Sequence, residues 1–204
     1  MGANRSIVGC CLILLGCLTC GPVASDNPPA PAMYLACISC HGEDGWGSPA
    51  IRAPAIAGQQ QAYLEKQLND YRSGARGGHS DDKWGAQMAL MSLPLSDDDV
   101  LVLADYLARQ PLWPVRLPGE HAVPPAAQPC LGCHPRESSQ WSSSGAPILW
   151  GLSADYLYRQ LLAYQRGWRG RTAEEGISDA MAAAVDPSLS TETLMTIARY
   201  FANE

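Results

Sequence analysis

At 204 residues the chain has room for one domain or two. Its formal net charge of −6 comes without a basic stripe, which excludes nucleic acid as a partner and gives no basis for attraction to an anionic lipid surface. Of its eight cysteines, four fall within the first 25 residues and the other four form two closely spaced pairs.

Residues 1–25 are read as an export signal and not as part of the fold. Arg5 is the only charge before Asp26, and the apolar run from Ile7 to Leu18 is too short to span a membrane as a helix. Small residues at Val23-Ala24-Ser25 suit cleavage before Asp26, which removes Cys10, Cys11, Cys17 and Cys20 and leaves only the paired thiols. Leu14-Leu15-Gly16 ahead of Cys17 offers the alternative of a lipoprotein signal, with a lipid anchor at Cys17 and Cys20 left unpaired. Both readings place the protein in the periplasm, free or attached to a membrane through Cys17. Without Arg5 the exported chain has a net charge of −7.

A first domain is expected over residues 26–110, entered through the Pro-rich stretch Asp26 to Pro31. A short helix from Ala32 to Cys37 leads into Cys37-Ile38-Ser39-Cys40-His41. A second helix is predicted from Gln59 to Arg72, with Leu64, Leu68 and Tyr71 on one face and Gly74 as its stop. Gly77 to Trp84 is an irregular approach to a methionine-containing stretch. Ser96 is placed to cap a last helix, with Asp97, Asp98 and Asp99 in the first turn where carboxylates suit the helix dipole. That helix presents Val100, Leu103, Ala104 and Leu107 to the core. Residues 111–129 contain six prolines and read as an extended, semi-rigid linker. A second domain follows over 130–204. No segment alternates as a strand, so the fold class is all-α.

The second domain repeats the first. Cys130-Leu131-Gly132-Cys133-His134 lies 93 residues after its counterpart, and the offset holds without a gap through Pro54/Pro147, Gly58/Gly151, Tyr63/Tyr156, Gln67/Gln160, Tyr71/Tyr164, Arg76/Arg169 and Met88/Met181. One inserted residue then makes it 94, matching Leu95/Leu189, Ala104/Ala198 and Tyr106/Tyr200. Two copies of this length are a tandem domain duplication, since a solenoid needs more and shorter units.

C-x-x-C-H is a c-type haem attachment pattern. Cys37 and Cys40, and again Cys130 and Cys133, are spaced to form thioethers with the two vinyl groups of one porphyrin, and His41 and His134 then sit beneath the iron. A four-thiolate zinc site would use the cysteines but leave two identically placed histidines unexplained. Two haem c groups are expected, one per domain. Each unit is small for a core of its own, and a single Phe among the aromatics agrees with a core partly made of cofactor.

The repeat also selects the sixth iron ligand. Met88 follows His41 by 47 residues, and Met181 follows His134 by the same 47. Met91 aligns with Ala184 and His79 with Thr172, so neither recurs; His79 and His121 are expected as exposed loop histidines. A thioether opposite the histidine raises the potential and closes the iron to oxygen or peroxide. Two closed haems make an electron carrier and not a catalyst.

The run from Pro54 through Tyr63-Leu64, Gln67-Leu68 and Tyr71 to Gly74, with Leu95-Ser96-Asp97 onward to Tyr106-Leu107, resembles the cytochrome c4 family over about residues 31–204. The resemblance implies two class I cytochrome c folds related by a pseudo-twofold, each wrapped around one haem. It also implies that the carbonyls of Pro54 and Pro147 accept the Nδ1–H of the proximal histidines. The function implied is a diheme shuttle taking electrons from a cytochrome bc-type complex or a dehydrogenase to a terminal oxidase. A haem subunit of a periplasmic complex, such as flavocytochrome c sulfide dehydrogenase with its flavoprotein, is the second reading. A catalytic diheme enzyme is the third, and would need an open or cysteine-ligated iron. The interface between domains is expected to be apolar apart from hydrogen bonds to propionates, for which Arg76 and Arg169 are candidate donors.

Overall fold

A computed structural model describes residues 29–114, 122–141, 145–170 and 177–202. The segment expected to be an export signal, Cys17, His121 and the middle of the linker lie outside the described residues. Seven α-helices run through the rest: α1 (Leu35–His41), α2 (Gln61–Ser73), α3 (Lys83–Ser92), α4 (Asp97–Arg109), α5 (Ala154–Gln165), α6 (Ile177–Ala184) and α7 (Thr191–Ala202). No strand occurs among the described residues beyond an isolated bridge between Ser48 and Ala53.

In the N-terminal half, α2 and α4 pack together over a core of Tyr34, Leu64, Leu103, Ala104, Tyr106 and Leu107. The boundaries have local causes. Gly74 ends α2 in the left-handed conformation, at φ 77°, which an L side chain adopts only with strain. Ser96 and Asp99 exchange hydrogen bonds in a capping box at the start of α4, satisfying donors that the first turn leaves free. The C-terminal half repeats the arrangement with α5 against α7, and Leu194, Ile197, Ala198 and Phe201 are all buried there. Each half ties its loop to its last helix in the same way. Gly58 N–H donates to the Leu107 carbonyl (2.8 Å), and its repeat partner Gly151 donates to Phe201 (3.1 Å).

Three details differ from the sequence expectation. The methionine-bearing stretches are helices, α3 and α6. Asp82 caps α3 by accepting from Gly85 N–H. The chain reaches α3 by crossing itself, because Gly77, at φ 76°, passes so close to Gly85 that a Cβ there would lie 2.2 Å from the Gly85 carbonyl oxygen.

The ends of the Pro-rich linker are packed and not extended. Trp113 is buried in the C-terminal core and donates to the Trp150 carbonyl (3.0 Å), and Ala127 is fully buried beside it. Residues Pro125–Gly132 form a 3-10 helix.

That 3-10 helix is the third difference, because it holds the first part of the second haem motif. The first motif sits wholly inside α1, and the predicted Ala32–Cys37 helix therefore extends through it to His41. Ala36 of the first copy is Pro129 in the second. Proline brings no N–H and crowds the carbonyl four residues back, which disfavours the α-helical form.

Candidate haem sites

His41 closes α1 and His134 follows the 3-10 helix, yet both reach the same environment. Each is buried, with 4% of its surface exposed. His41 Nδ1 donates to the Pro54 carbonyl and His134 Nδ1 donates to the Pro147 carbonyl, each at 2.9 Å and each across 13 residues. A carbonyl can only accept, so the proton is on Nδ1 and Nε2 keeps its lone pair. Burial lowers both imidazole pKa values, against a raising effect of the prolyl carbonyl, and so favours the neutral, ligating form.

His134 Nε2 is buried and has no hydrogen-bond partner. A buried imidazole nitrogen is seldom left in that condition without a ligand to receive it, and iron is a fitting one.

The thiols are arranged for the same group. Cys37 and Cys130 are half-buried, while Cys40 and Cys133 are exposed, and all four are free. Burial pushes the Cys37 and Cys130 thiols up, keeping them protonated. Paired free thiols beside a buried imidazole suit a covalent porphyrin. No cluster of three or more potential metal ligands occurs among the described residues, as a zinc site would require.

Met88 stands half-buried on α3, and Met91 is 48% exposed on the same helix. Met181 stands half-buried on α6, packed against Tyr164, Val185 and Leu194. His79 is exposed as expected, though its ring stacks on Trp168 at 5.1 Å.

Arg76 and Arg169 are neither solvated nor peripheral. Both are 4% exposed and they join the two halves. Arg76 donates to Gln67 Oε1 of its own half (2.6 Å), and to Gln160 Oε1 (2.7 Å) and the Tyr156 hydroxyl (3.1 Å) of the other. Arg169 mirrors this with Gln160 (2.7 Å), Gln67 (2.6 Å) and Tyr63 (3.3 Å). Each guanidinium also lies over a tyrosine of its own half, Tyr71 at 4.4 Å and Tyr164 at 4.6 Å.

Burial works against both charges, and the Arg76 charge works against Arg169, while the surrounding tyrosines raise the guanidinium pKa values. Neither arginine forms an ion pair with a carboxylate among the described residues, and Arg169 Nε is buried without a partner. Nearby, Gln59 exchanges two 2.9 Å hydrogen bonds with the Ile148 backbone. Gln60 donates to the carbonyls of Trp141 and Ala146. The contact between halves therefore includes a buried polar network beside the apolar packing of Ala55 and Trp113 on the C-terminal core.

Comparison with known proteins agrees with this geometry. The Cytochrome c family model matches residues 30–110. Cytochrome c4 of Thiocapsa roseopersicina is 31% identical over 176 residues, covering 80% of this chain and 84% of the relative. The chain belongs to the cytochrome c4 family. The crystal structure of reduced recombinant cytochrome c4 from Pseudomonas stutzeri superposes with a TM-score of 0.60 at 29% identity, covering 83% of this chain and 93% of that one. A thiosulfate dehydrogenase electron acceptor from Stutzerimonas stutzeri (strain A1501) is 30% identical, over 87% of this chain and 81% of its own length. As a member of that family, the protein is an all-α diheme c-type electron carrier whose cofactors are two haem c groups.

Proposed function

We propose that the protein is an exported diheme shuttle made of two domains, residues 26–110 and 130–204, whose joining segment is partly packed into the second. In this reading Cys37 and Cys40 would hold one haem by thioethers, with His41 and Met88 as the ligands to its iron. Cys130, Cys133, His134 and Met181 would do the same for the other. The observation that carries the assignment is the matched pair of buried histidines, each with Nδ1–H fixed on a prolyl carbonyl, together with the partnerless Nε2 of His134.

The haem iron, when bound, takes up and gives back one electron. The protein's part is to hold still while this happens. Buried imidazoles fixed through Nδ1 stay neutral and oriented, and the Met88 and Met181 thioethers would supply the second ligand to each iron, leaving no position for water or oxygen. Arg76 and Arg169 supply two buried positive charges between the halves, without a carboxylate partner among the described residues, and they are matched in charge to haem propionates. Charge in that position favours the electron-rich, reduced state.

Donors and acceptors are redox proteins. A cytochrome bc-type complex delivering to a terminal oxidase is the first route, and the acidic exported chain suits basic docking surfaces on such partners. The relative named as a thiosulfate dehydrogenase electron acceptor favours a second route, in which a periplasmic dehydrogenase is the donor and this chain accepts from it without catalysis of its own.

The test has two parts. Denatured exported protein should have the apoprotein mass plus two haems. In rapid mixing, a one-electron reductant should reduce both haems in a single phase proportional to its concentration, because electrons pass between halves faster than they enter. Two independent reductant-dependent phases would contradict the shared-store reading.

A further inference from the structure

The segment that leads into α3 is held from the opposite half of the molecule. Trp84, in the first turn of α3, lies against two guanidiniums, with Arg159 of α5 at 5.1 Å from the ring centroid and Arg52 at 5.4 Å. Both arginines are fixed by one carboxylate. Asp155 accepts from Arg159 Nε (2.9 Å) and from Arg52 Nη2 (2.5 Å), while Arg159 Nη2 also donates to the Arg52 carbonyl (2.9 Å). Arg52 is the one non-glycine residue with positive φ (60°) among the described residues, so its backbone is held in a strained form where that carbonyl meets Arg159. Arg159 is largely desolvated, at 16% side-chain exposure, which strengthens its attraction to an aromatic face.

Five residues earlier, His79 stacks on Trp168 of the C-terminal half, with rings 5.1 Å apart and 19° from parallel. Two fastenings thus bracket residues 79–84. Just outside them, Gly77 lies in close contact with Gly85, which ties the base of the segment to the start of α3. Trp84 and Met88 are four residues apart on that helix and so share a face.

None of this belongs to the repeat. The positions equivalent to Arg52, Trp84, Asp155, Arg159 and Trp168 are Gly145, Ile177, Ala62, Lys66 and Ala75. The residues that fasten the methionine helix of the N-terminal half from the C-terminal half are thus not repeated in the sequence of the second copy.

We propose that Arg159 and Trp168 are positioning residues for the sixth ligand of the N-terminal haem, so that contact between the halves sets how firmly Met88 stays on iron. This rests on the assignment of Met88 given above. The consequence is an N-terminal haem whose methionine loosens when the halves separate.

Imidazole binding to the oxidised holoprotein tests this, because an external ligand reads the fraction of iron from which methionine has left. It is followed as loss of the weak red-end band that reports sulfur bound to ferric iron. Met88→Ala identifies which titration phase belongs to the N-terminal haem. In Arg159→Ala that phase should move to roughly tenfold lower imidazole, while the C-terminal phase stays in place as an internal control for folding. Arg159→Lys, which keeps a cation by the ring, should recover part of the shift. Trp168→Ala should move the same phase in the same direction, and serves alone if Arg159→Ala does not accumulate.

If Met88→Ala removes one phase but Arg159→Ala and Trp168→Ala leave that phase in place, or move both phases alike, the clamp is wrong and the ligand assignment stands. If Met88→Ala leaves both phases unchanged, the ligand assignment fails and the clamp fails with it.

Discussion

Replacing Gln67 with Leu should be among the most damaging single changes that leave every haem-motif residue in place. Gln67 is 7% exposed and its Oε1 accepts from both buried arginines, at 2.6 Å each. Leucine fills nearly the same volume, so the cavity contribution is small and the loss is electrostatic. Two hydrogen bonds from charged donors disappear, each contributing roughly 1.5–3 kcal/mol, and the donors stay where water cannot replace the amide. A loss of about 3–6 kcal/mol follows, against a total stability of roughly 5–15 kcal/mol for a folded protein. The assay is guanidinium denaturation of the holoprotein, followed by haem absorbance and tryptophan fluorescence. Arginine keeps its charge throughout the working range, so the loss should be nearly constant between about pH 5 and 9. Gln67→Leu combined with Arg76→Met and Arg169→Met should be less damaging than the single change, because unpaired buried charge is then absent. A single-mutant loss below about 1 kcal/mol would refute the reasoning, since it would mean that water reaches the arginines or that other acceptors replace the amide.

Met88→Ala and Met181→Ala should each remove about half of the red-end band of the oxidised protein, and Met91→Ala should leave it intact; optical spectra of the three variants decide this. Gly77→Ala should destabilise by roughly 2 kcal/mol or more, from a positive φ and a collision with Gly85, as measured by denaturation midpoint. Ser96→Ala should lower that midpoint at neutral pH. Hydrogen bonds from the Ser96 hydroxyl and backbone hold Asp99 below the ordinary carboxylate range, so the capping contribution is complete above about pH 4 and disappears as pH falls through the lower folded value. The difference between Ser96→Ala and the parent should therefore shrink in acid, which a pH series of melts would measure.

The duplication made much of the fold legible in advance. Leu64, Tyr71, Val100 and Leu103 lie at helical spacing and recur in the second copy, and the buried faces of α4 and α7 lie where that spacing puts them. Gly74 and Ser96 mark helix ends by mechanisms that need no tertiary context. The histidine–proline contacts were implied by family resemblance and are present at both sites.

What was hidden depends on contacts between halves or on residues that break the repeat. The stretch Lys83–Ser92 contains Gly85 and lacks a clear apolar stripe, so its helicity comes from the Asp82 cap and from packing on α2. Gln67 and Gln160 recur in the repeat, but their role depends on the opposite half, which supplies each with its second arginine. Trp113 and Ala127 sit in a Pro-rich run whose composition suggests extension, and burial in a neighbouring core overrides that suggestion. Arg159 and Trp84 could not be found by comparing copies, since only one copy has them.

The ring of Arg76, Gln67, Arg169 and Gln160 is self-complementary: residue 76 meets 160 as 169 meets 67. That reciprocal pattern is how two identical subunits meet across a dyad. A single copy of this unit therefore has, in one arginine and one glutamine, all the polar groups needed to pair with another of itself. The tether between the halves is then not the source of their recognition. It raises the concentration at which each finds the other and allows the two faces to diverge, as the contacts around Trp84 have done.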